Sequence, residues 1–484
     1  MKKFLTVLFL TVLLTTRIAA AENPAKTAGA GRAILGINDD QKRIVVTAVT
    51  ADGSAIQVEG CTVTEFPSGE RTVLTATGAK VILKGAITKL DCGGNRLTEL
   101  NVQGLTALQK LFCDDNLLTS LDVSGVTALQ SLSCGENLLT SLDVSGLTGL
   151  RELYCNRNHL SSLDVQSLTA LQDLFCNANK LISLNVQDLK VLQRLHCNSN
   201  RLTSLDVRDL SALQELDCVG NELTSLDVHG VTALWELECS KNMLTLLDVQ
   251  SLTSLSKLDC SANQLASLDV RNLAALEKLD CRDNKLTSLD VRGLNTLQKL
   301  YCSENELTSL EIQGLKTLQK LNCYKNKLTS LNVQGLTALQ WLNCGYNELT
   351  TLNLKGLHAL RDLECFKNNL AELDVQDINT LQRLNCYHNK LSTLELSTLH
   401  GLQELCCYDN LFNEKALIRI LTALPDRKQK KEGRALIYGK KNDPREGTIT
   451  DFSSSAELKA AFEAAKAKNW RFYKRDTVGN EEEV

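Results

Sequence analysis

From Cys92 onward a cysteine recurs every 21 residues: Cys92, Cys113, Cys134, Cys155, Cys176, Cys197, Cys218, Cys239, Cys260, Cys281, Cys302, Cys323, Cys344, Cys365, Cys386 and Cys407, sixteen in an unbroken series. An asparagine follows each by three residues, from Asn95 and Asn116 to Asn389 and Asn410. The full frame is LxxLxCxxNxLxxLxVxxLxx, with leucine-like residues five and two before the cysteine and five, eight, ten and thirteen after it. One such unit buries too few apolar groups to offset the entropy of ordering it, whereas stacked units bury a continuous core. The repeat therefore specifies a solenoid whose stability is shared between neighbouring coils.

Around Leu132, Ser133 and Cys134 the pattern alternates inward and outward as a strand does. Sixteen such strands make a parallel sheet along one side, roughly 70 Å long at about 4.8 Å per strand. The segment SLDV, residues 141–144, alternates too and predicts a second short strand on the opposite side. The asparagines fall where the strand turns away, and there a side-chain amide can satisfy backbone groups that the ladder no longer reaches. Each ladder cysteine takes an inward position, where it packs as a small hydrophobe. Thiols stacked about 4.8 Å apart exceed the ~3.8 Å Cβ separation of a disulfide. No CxxC cluster offers a metal site. The ladder cysteines thus read as unpaired, buried and inert. Cys61 and Cys406 lie outside the series, and Cys406 is expected to point outward.

This frame resembles the leucine-rich repeat, LxxLxLxxN/CxL, over residues 87–410. With 21-residue units and a cysteine in one core position, as in NKLTSLDVRGLNTLQKLYC at residues 284–302, it is similar to the internalin family of bacterial surface proteins, in particular the internalin J type with its cysteine ladder. The resemblance implies a curved parallel β-sheet and a role in adhesion to host or neighbouring cells. It covers the repeats and not the flanks, where no cell-wall sorting motif is visible.

Ahead of the repeats, residues 1–21 carry Lys2, Lys3, an apolar run and Ala19 to Ala21, the layout of a secretory signal peptide too short for a membrane span. The mature chain is expected outside the cytoplasm or on the outer cell surface. The net charge of −4 becomes three units more negative once Lys2, Lys3 and Arg17 leave, which argues against nucleic acid as partner. Residues 22–86 read as an all-β cap, with two β-rich runs around Asp52-Gly53 and VILKG at 81–85 leading into the first repeat. Residues 411–476 read as a small α/β cap. Leu417, Leu421 and Leu424 share a helical face before Pro425, RALIY and WRFYK are strand-like, and Ser454 with Glu457 forms a capping box for a second helix. The basic run 427–431 reads as a solvated loop, and 477–484 as an acidic tail.

Function on a solenoid falls to the outward positions, because leucine and asparagine are committed to the scaffold. The residue before each cysteine supplies Phe112, Tyr154, Phe175, His196 and Tyr301, with the acids Asp217, Glu238, Asp259 and Asp280 between the last two. Lys257, Lys278, Lys299 and Lys320 stand two positions earlier and are expected to screen those acids. The residue after the cysteine supplies Tyr324, Phe366, Tyr387 and Tyr408, joined by Trp341 and Tyr346. These eleven aromatic and imidazole groups are the candidate ligand-binding residues. A third column, Asp122, Asp143, Asp164, Asp206, Asp227, Asp248, Asp269 and Asp290, suits calcium in chemistry, but single acids one per coil read as turn residues bonded to nearby Ser or Thr. No GxSxG, HExxH, phosphate loop or dinucleotide fingerprint occurs, so an enzyme is not the reading, and no cofactor or metal is expected. The expected partner is a protein or glycan on a host or bacterial cell surface. Contact between bacterial cells, as in a biofilm, is the alternative to host attachment.

Overall fold

The computed structural model describes residues 31–439, 452–475 and 481–484, so the expected signal peptide lies outside the described residues. Strands β1 (Arg32–Gly36), β2 (Arg43–Thr50), β3 (Ile56–Glu59), β4 (Glu65–Phe66), β5 (Arg71–Thr75) and β6 (Lys80–Lys84) build the N-terminal cap. The two runs flanking Asp52-Gly53 are β2 and β3, and they join different sheets instead of pairing as a hairpin. Asp52 holds that corner by accepting from the Ser54 N–H and hydroxyl at 3.0 and 2.6 Å. β2 runs antiparallel to β5 and to β7 (Ile87–Asp91), which is the first ladder strand. The cap thereby covers the edge at which the ladder would otherwise stand open.

Parallel to β7 lies β9 (Lys110–Phe112), followed by one three-residue strand per coil as far as β23 (Glu404–Cys406). Register follows the 21-residue period, with Leu132 opposite Leu111 on one side and Leu153 on the other. Beyond β23 the sheet continues in parallel through β24 (Gly433–Gly439) and β25 (Trp470–Arg475), and the antiparallel β26 (Glu481–Glu483) ends it. The acidic residues 481–483 are therefore an edge strand rather than a free tail. The carboxylates of Glu482 and Glu483 face cations across the pair, Lys474 reaching Glu482 at 3.3 Å and Arg471 reaching Glu483 at 3.5 Å. Helix α1 (Glu414–Ala423) buries Leu417 and Leu421 as expected. Helix α2 (Ala456–Ala467) is capped by Ser455, not Ser454, because the Ser455 hydroxyl accepts the Leu458 N–H at 3.1 Å. The basic run is not wholly solvated either. Arg427 is 4% exposed, and its guanidinium donates to the carbonyls of Leu402 and Lys431, both at 2.9 Å, closing the last coil. No helix among the described residues is long and apolar enough to cross a membrane.

The second strand expected on the opposite side forms in the first coil only. There β8 (Glu99–Asn101) finds an antiparallel partner in β1. Later coils show isolated bridges, such as Asp206 with Asp227 and Asp290 with Glu311. The reason is local: the aspartate of SLDV accepts the N–H two residues on, as Asp143 does from Ser145 at 3.0 Å. That turn bends the chain away from its neighbour before a ladder can form.

Each ladder asparagine ties two coils together. In Asn242 the amide nitrogen donates to the carbonyls of Cys239 and Cys218 at 3.1 and 3.0 Å, and the amide oxygen accepts the Leu223 N–H at 3.1 Å. At the start of the array Asn95 has no preceding coil, and Val45 of β2 substitutes for one, giving its N–H and its carbonyl at 2.7 Å each. The tight turn between cysteine and asparagine needs a left-handed residue two places after every ladder cysteine. It is filled by Gly94 and Gly220 in two coils and by non-glycine residues such as Asp115, Lys241 and Asp409 in the others, at φ between 50° and 60°. No β-branched residue stands in that column, in keeping with its higher strain there.

All sixteen ladder thiols are fully buried and none is in a disulfide. Burial raises every one of them above the ordinary thiol value of 9.0, to about 12 for Cys155 and Cys323.

Two consequences can be measured. Asn242→Ala removes two bonds between coils and leaves the buried Leu223 N–H without its acceptor, while the Cys218 and Cys239 carbonyls keep Asn221 and Asn263 as donors, so urea unfolding should show a loss of about 1–3 kcal/mol. The thiols stay protonated in the folded chain while unfolded thiols ionise, so their contribution is intact below about pH 9 and is lost as pH rises toward 12. Each removes up to about 1.4 kcal/mol per pH unit in that window. Sixteen together make alkaline unfolding steep, with circular dichroism under reductant expected to collapse near about pH 10. Replacing Cys218, Cys239 and Cys260 by alanine should make the transition shallower. A chain still folded at about pH 11 would contradict this account.

Candidate functional site

Each ladder strand turns its middle leucine inward and its first and third residues outward, so two outward columns run the length of the sheet. The third residue, just before the cysteine, is half-buried by its neighbours in most coils, and Asp280 is only 3% exposed.

Three of the predicted residues meet near the N-terminal end. Tyr154 meets Phe175 edge to face at 5.0 Å between centroids, and Phe175 stacks on His196 at 4.1 Å with planes 4° apart. Beneath them Arg194 grips Asp173 through two bonds of 2.6 and 2.7 Å, and its guanidinium lies 5.6 Å from the Phe175 ring centre. Phe112 is not part of this group, because Ser133 separates it from Tyr154 along the column; its ring faces the Lys89 ammonium at 5.4 Å.

The acids Asp217, Glu238, Asp259 and Asp280 follow in register. Their screening is only partial, since Lys257 turns to Glu236, its partner across the strand pair, at 3.4 Å, while Lys278 acts on Glu238. Asp280 is instead paired with Arg282 at 2.8 Å, and Asp259 accepts from the Ser261 hydroxyl at 2.7 Å. Burial raises the carboxyls of Asp217 and Glu238, and repulsion from nearby carboxylates adds to it. Trp235, absent from the candidate list, stands half-buried beside this stretch, 5.0 Å from the Lys257 ammonium. The sequence shows it as a break in the frame, ALWELEC where the preceding coil reads ALQELDC.

Toward the C-terminus the rings leave the sheet face and run along the rim where the strands turn. Phe366 stacks on Tyr387 at 4.8 Å, Tyr387 on Tyr408 at 4.6 Å, and Tyr324 touches both Phe366 and Tyr346 at 5.8 and 6.0 Å. Gly345 occupies the place of a ring in that row. A Cβ there would come within 2.8 Å of the Phe366 ring, so the glycine makes room for Phe366 to lean toward Tyr324. Exposure differs sharply along the row, from 47% at Tyr346 to 8% at Tyr408. Tyr408, a candidate by its column, is nearly buried, next to Cys407, whose N–H donates to Leu436 of the C-terminal cap at 2.9 Å. Tyr301 and Trp341 form a separate pair at 6.3 Å, and the Trp341 indole N–H donates to Glu364 at 3.2 Å. Cys406 is half-buried at the end of the face.

The aspartate column behaves as a turn column, with arginine as well as serine for partner. Asp122 accepts from the Ser124 hydroxyl at 2.7 Å, whereas Asp206, Asp269 and Asp290 pair with Arg208, Arg271 and Arg292 at 2.6 to 2.7 Å. The arginine beside each holds Asp269 and Asp290 down to about 2. Among the described residues no three His, Cys, Asp or Glu side chains come together as metal ligands.

No protein-family model and no curated protein matches the chain. Solved structures do. The functional domain of InlJ from Listeria monocytogenes, described as including a cysteine ladder, is 32% identical over 69% of this chain and 76% of that one, with a TM-score of 0.64. A leucine-rich repeat protein of Leptospira interrogans is 30% identical over 66% and 83%, with a TM-score of 0.54. The leucine-rich repeat ectodomain of an Arabidopsis thaliana membrane receptor kinase, solved in complex with Casparian strip integrity factor 2, is 25% identical over 69% and 45%, with a TM-score of 0.60.

The acidic stretch should cost stability at neutral pH. A double substitution, Asp217→Asn with Glu238→Gln, is expected to stabilise the chain by roughly 0.5–1 kcal/mol at pH 7 after allowance for solvent screening. Raised carboxyls hold their protons as pH falls, so the advantage should vanish toward pH 4 in paired thermal melts. An equal advantage at both pH values would mean that charge is not its source.

Proposed function

Because this chain belongs to the internalin-type leucine-rich repeat proteins with a cysteine ladder, we propose that it is an exported or surface-displayed bacterial adhesion protein. It binds a macromolecule on a host cell through the outward columns of its β-face. One observation carries the reading: the scaffold positions repeat from coil to coil, while the outward ones sort into an aromatic group, an acidic stretch and an aromatic rim. A scaffold needs no such sorting, and aromatic groups beside charged rims suit macromolecular contact.

Between a protein and a glycan as partner, ring geometry favours the protein. A sugar binds an aromatic side chain by lying on its face. In the rim, the faces of Phe366 and Tyr387 are turned to each other and to their neighbours with planes 8° and 5° apart, so their edges are what remain to be met. Ring edges and phenol hydroxyls suit the mixed apolar and hydrogen-bonding surface of a polypeptide. The reading is of a binding protein and not a catalyst.

Purified mature protein should bind host epithelial cells, and a variant carrying Tyr154→Ala, Phe175→Ala, Phe366→Ala and Tyr387→Ala should lose at least about tenfold in affinity, the effect of 1.4 kcal/mol, while keeping its circular dichroism spectrum. Binding only to cells of the producing bacterium would replace host attachment by contact between bacterial cells. Equal binding by the variant would remove function from these columns.

A further inference from the structure

At its C-terminal end the sheet face sinks into a concavity of about 420 Å³, between the last ladder strands and β24. Three carboxylates, Asp362, Glu364 and Glu404, and two guanidinium groups, Arg383 and Arg434, line it with Asn385. Arg383 is taken by Asp362 at 2.7 Å, and Arg434 lies over the Tyr473 ring at 4.9 Å. Glu364 receives only neutral donors, the Trp341 indole at 3.2 Å and the Asn343 amide at 3.0 Å. Two buried oxygens of the wall, Asp362 Oδ1 and Asn385 Oδ1, have no donor among the described residues. A buried acceptor without a donor costs about 1–3 kcal/mol. The wall is thus short of donors, and its carboxylates outnumber its cations. Burial also raises the carboxyls of Asp362 and Glu364, the mark of incompletely compensated charge.

We propose that this concavity is a subsite for an arginine side chain of the protein partner, which enters between Glu364 and Asn385. The inference rests on the protein-binding reading given above. A guanidinium supplies what the wall lacks, one positive charge and several donors fixed in a planar fork. Asn385 lines the concavity, and rotation about its Cβ–Cγ bond brings its unmet amide oxygen toward the incoming fork, while Asp362 stays with Arg383 and adds its negative charge to the wall. Tyr387 stands on the same wall, where its ring leads into the rim row through Phe366. The apolar part of the same segment has that row to rest on.

The test uses the full mature chain and three synthetic glycine-serine nonapeptides with a central arginine, lysine or citrulline, titrated by isothermal calorimetry. Citrulline keeps the shape of arginine and lacks its charge. The arginine peptide should bind at least about tenfold more tightly than the citrulline peptide, with lysine in between. Glu364→Gln should remove most of that difference, and Asn385→Leu should weaken the arginine peptide alone. Equal binding of arginine and citrulline, an unchanged preference in Glu364→Gln, or no binding at millimolar peptide would each overturn the subsite. If cell attachment persists while the peptides fail, only the subsite falls; if the peptides bind as described and attachment fails, the adhesion reading falls instead.

Discussion

One asparagine amide per coil is the interaction on which the rest of this structure depends. A ladder strand pairs over only three residues before the chain turns, and the carbonyl of the cysteine just beyond it points into the stack. Left unmet, that buried carbonyl would cost about 1–3 kcal/mol in every coil. The amide nitrogen reaches the cysteine carbonyls of two successive coils at once, and the amide oxygen takes an N–H from the earlier one. This works only if every coil has the same length, because the reach of an asparagine side chain does not vary. The unbroken 21-residue period is thus a geometric requirement. A coil this short also leaves limited room beside the asparagine, and a thiol fills it where a leucine would be larger.

The same constraint decides which positions are free. The residue two after each cysteine must be left-handed, yet Lys, Glu, Asp, Arg and even Tyr346 are accepted there. A left-handed non-glycine costs roughly 1–2 kcal/mol, and the asparagine network on its C-terminal side holds the turn regardless. Outward positions on the sheet carry no such demand. They can be aromatic, acidic or amide without disturbing the register of Leu132 on Leu153 or any other inward pair. Scaffold and surface are therefore separable residue by residue.

This separation explains what could be read in advance. The period, the inward cysteines and the structural asparagines follow from spacing alone, since each is forced by stacking. Errors fall where a neighbour in space, unseen in the repeat, sets the outcome. The SLDV segment becomes a strand only beside β1, which the cap supplies once. Lys257 pairs with Glu236, its partner at the same position of the adjacent strand, and not with Asp259 two residues along its own strand, because register partners lie side by side on one face. Tyr408 follows its column by sequence but is covered at the junction with the cap. Trp235 and Gly345 were legible as departures from the frame. Their effect on Lys257 and on the Phe366 ring needed coordinates.

Outward residues differ in how far the fold itself accounts for them. A ring stacked on a ring gains roughly 0.5–1.5 kcal/mol from its neighbour, so the row Tyr324, Phe366, Tyr387 contributes to stability with or without a partner. The Arg194 grip on Asp173 likewise satisfies both groups within the chain. The concavity at the other end is different. Its two unmet oxygens and the neutral donors on Glu364 leave the folded chain short of what burial demands. Folding alone favours filling such a place with apolar residues, as it does at every inward position of the same coils. The hydroxyl of Ser131 is unmet near the N-terminal end, but only at the C-terminal end do two unmet oxygens share one concavity with an excess of carboxylates, and that coincidence is the asymmetry on which the proposed arginine subsite rests.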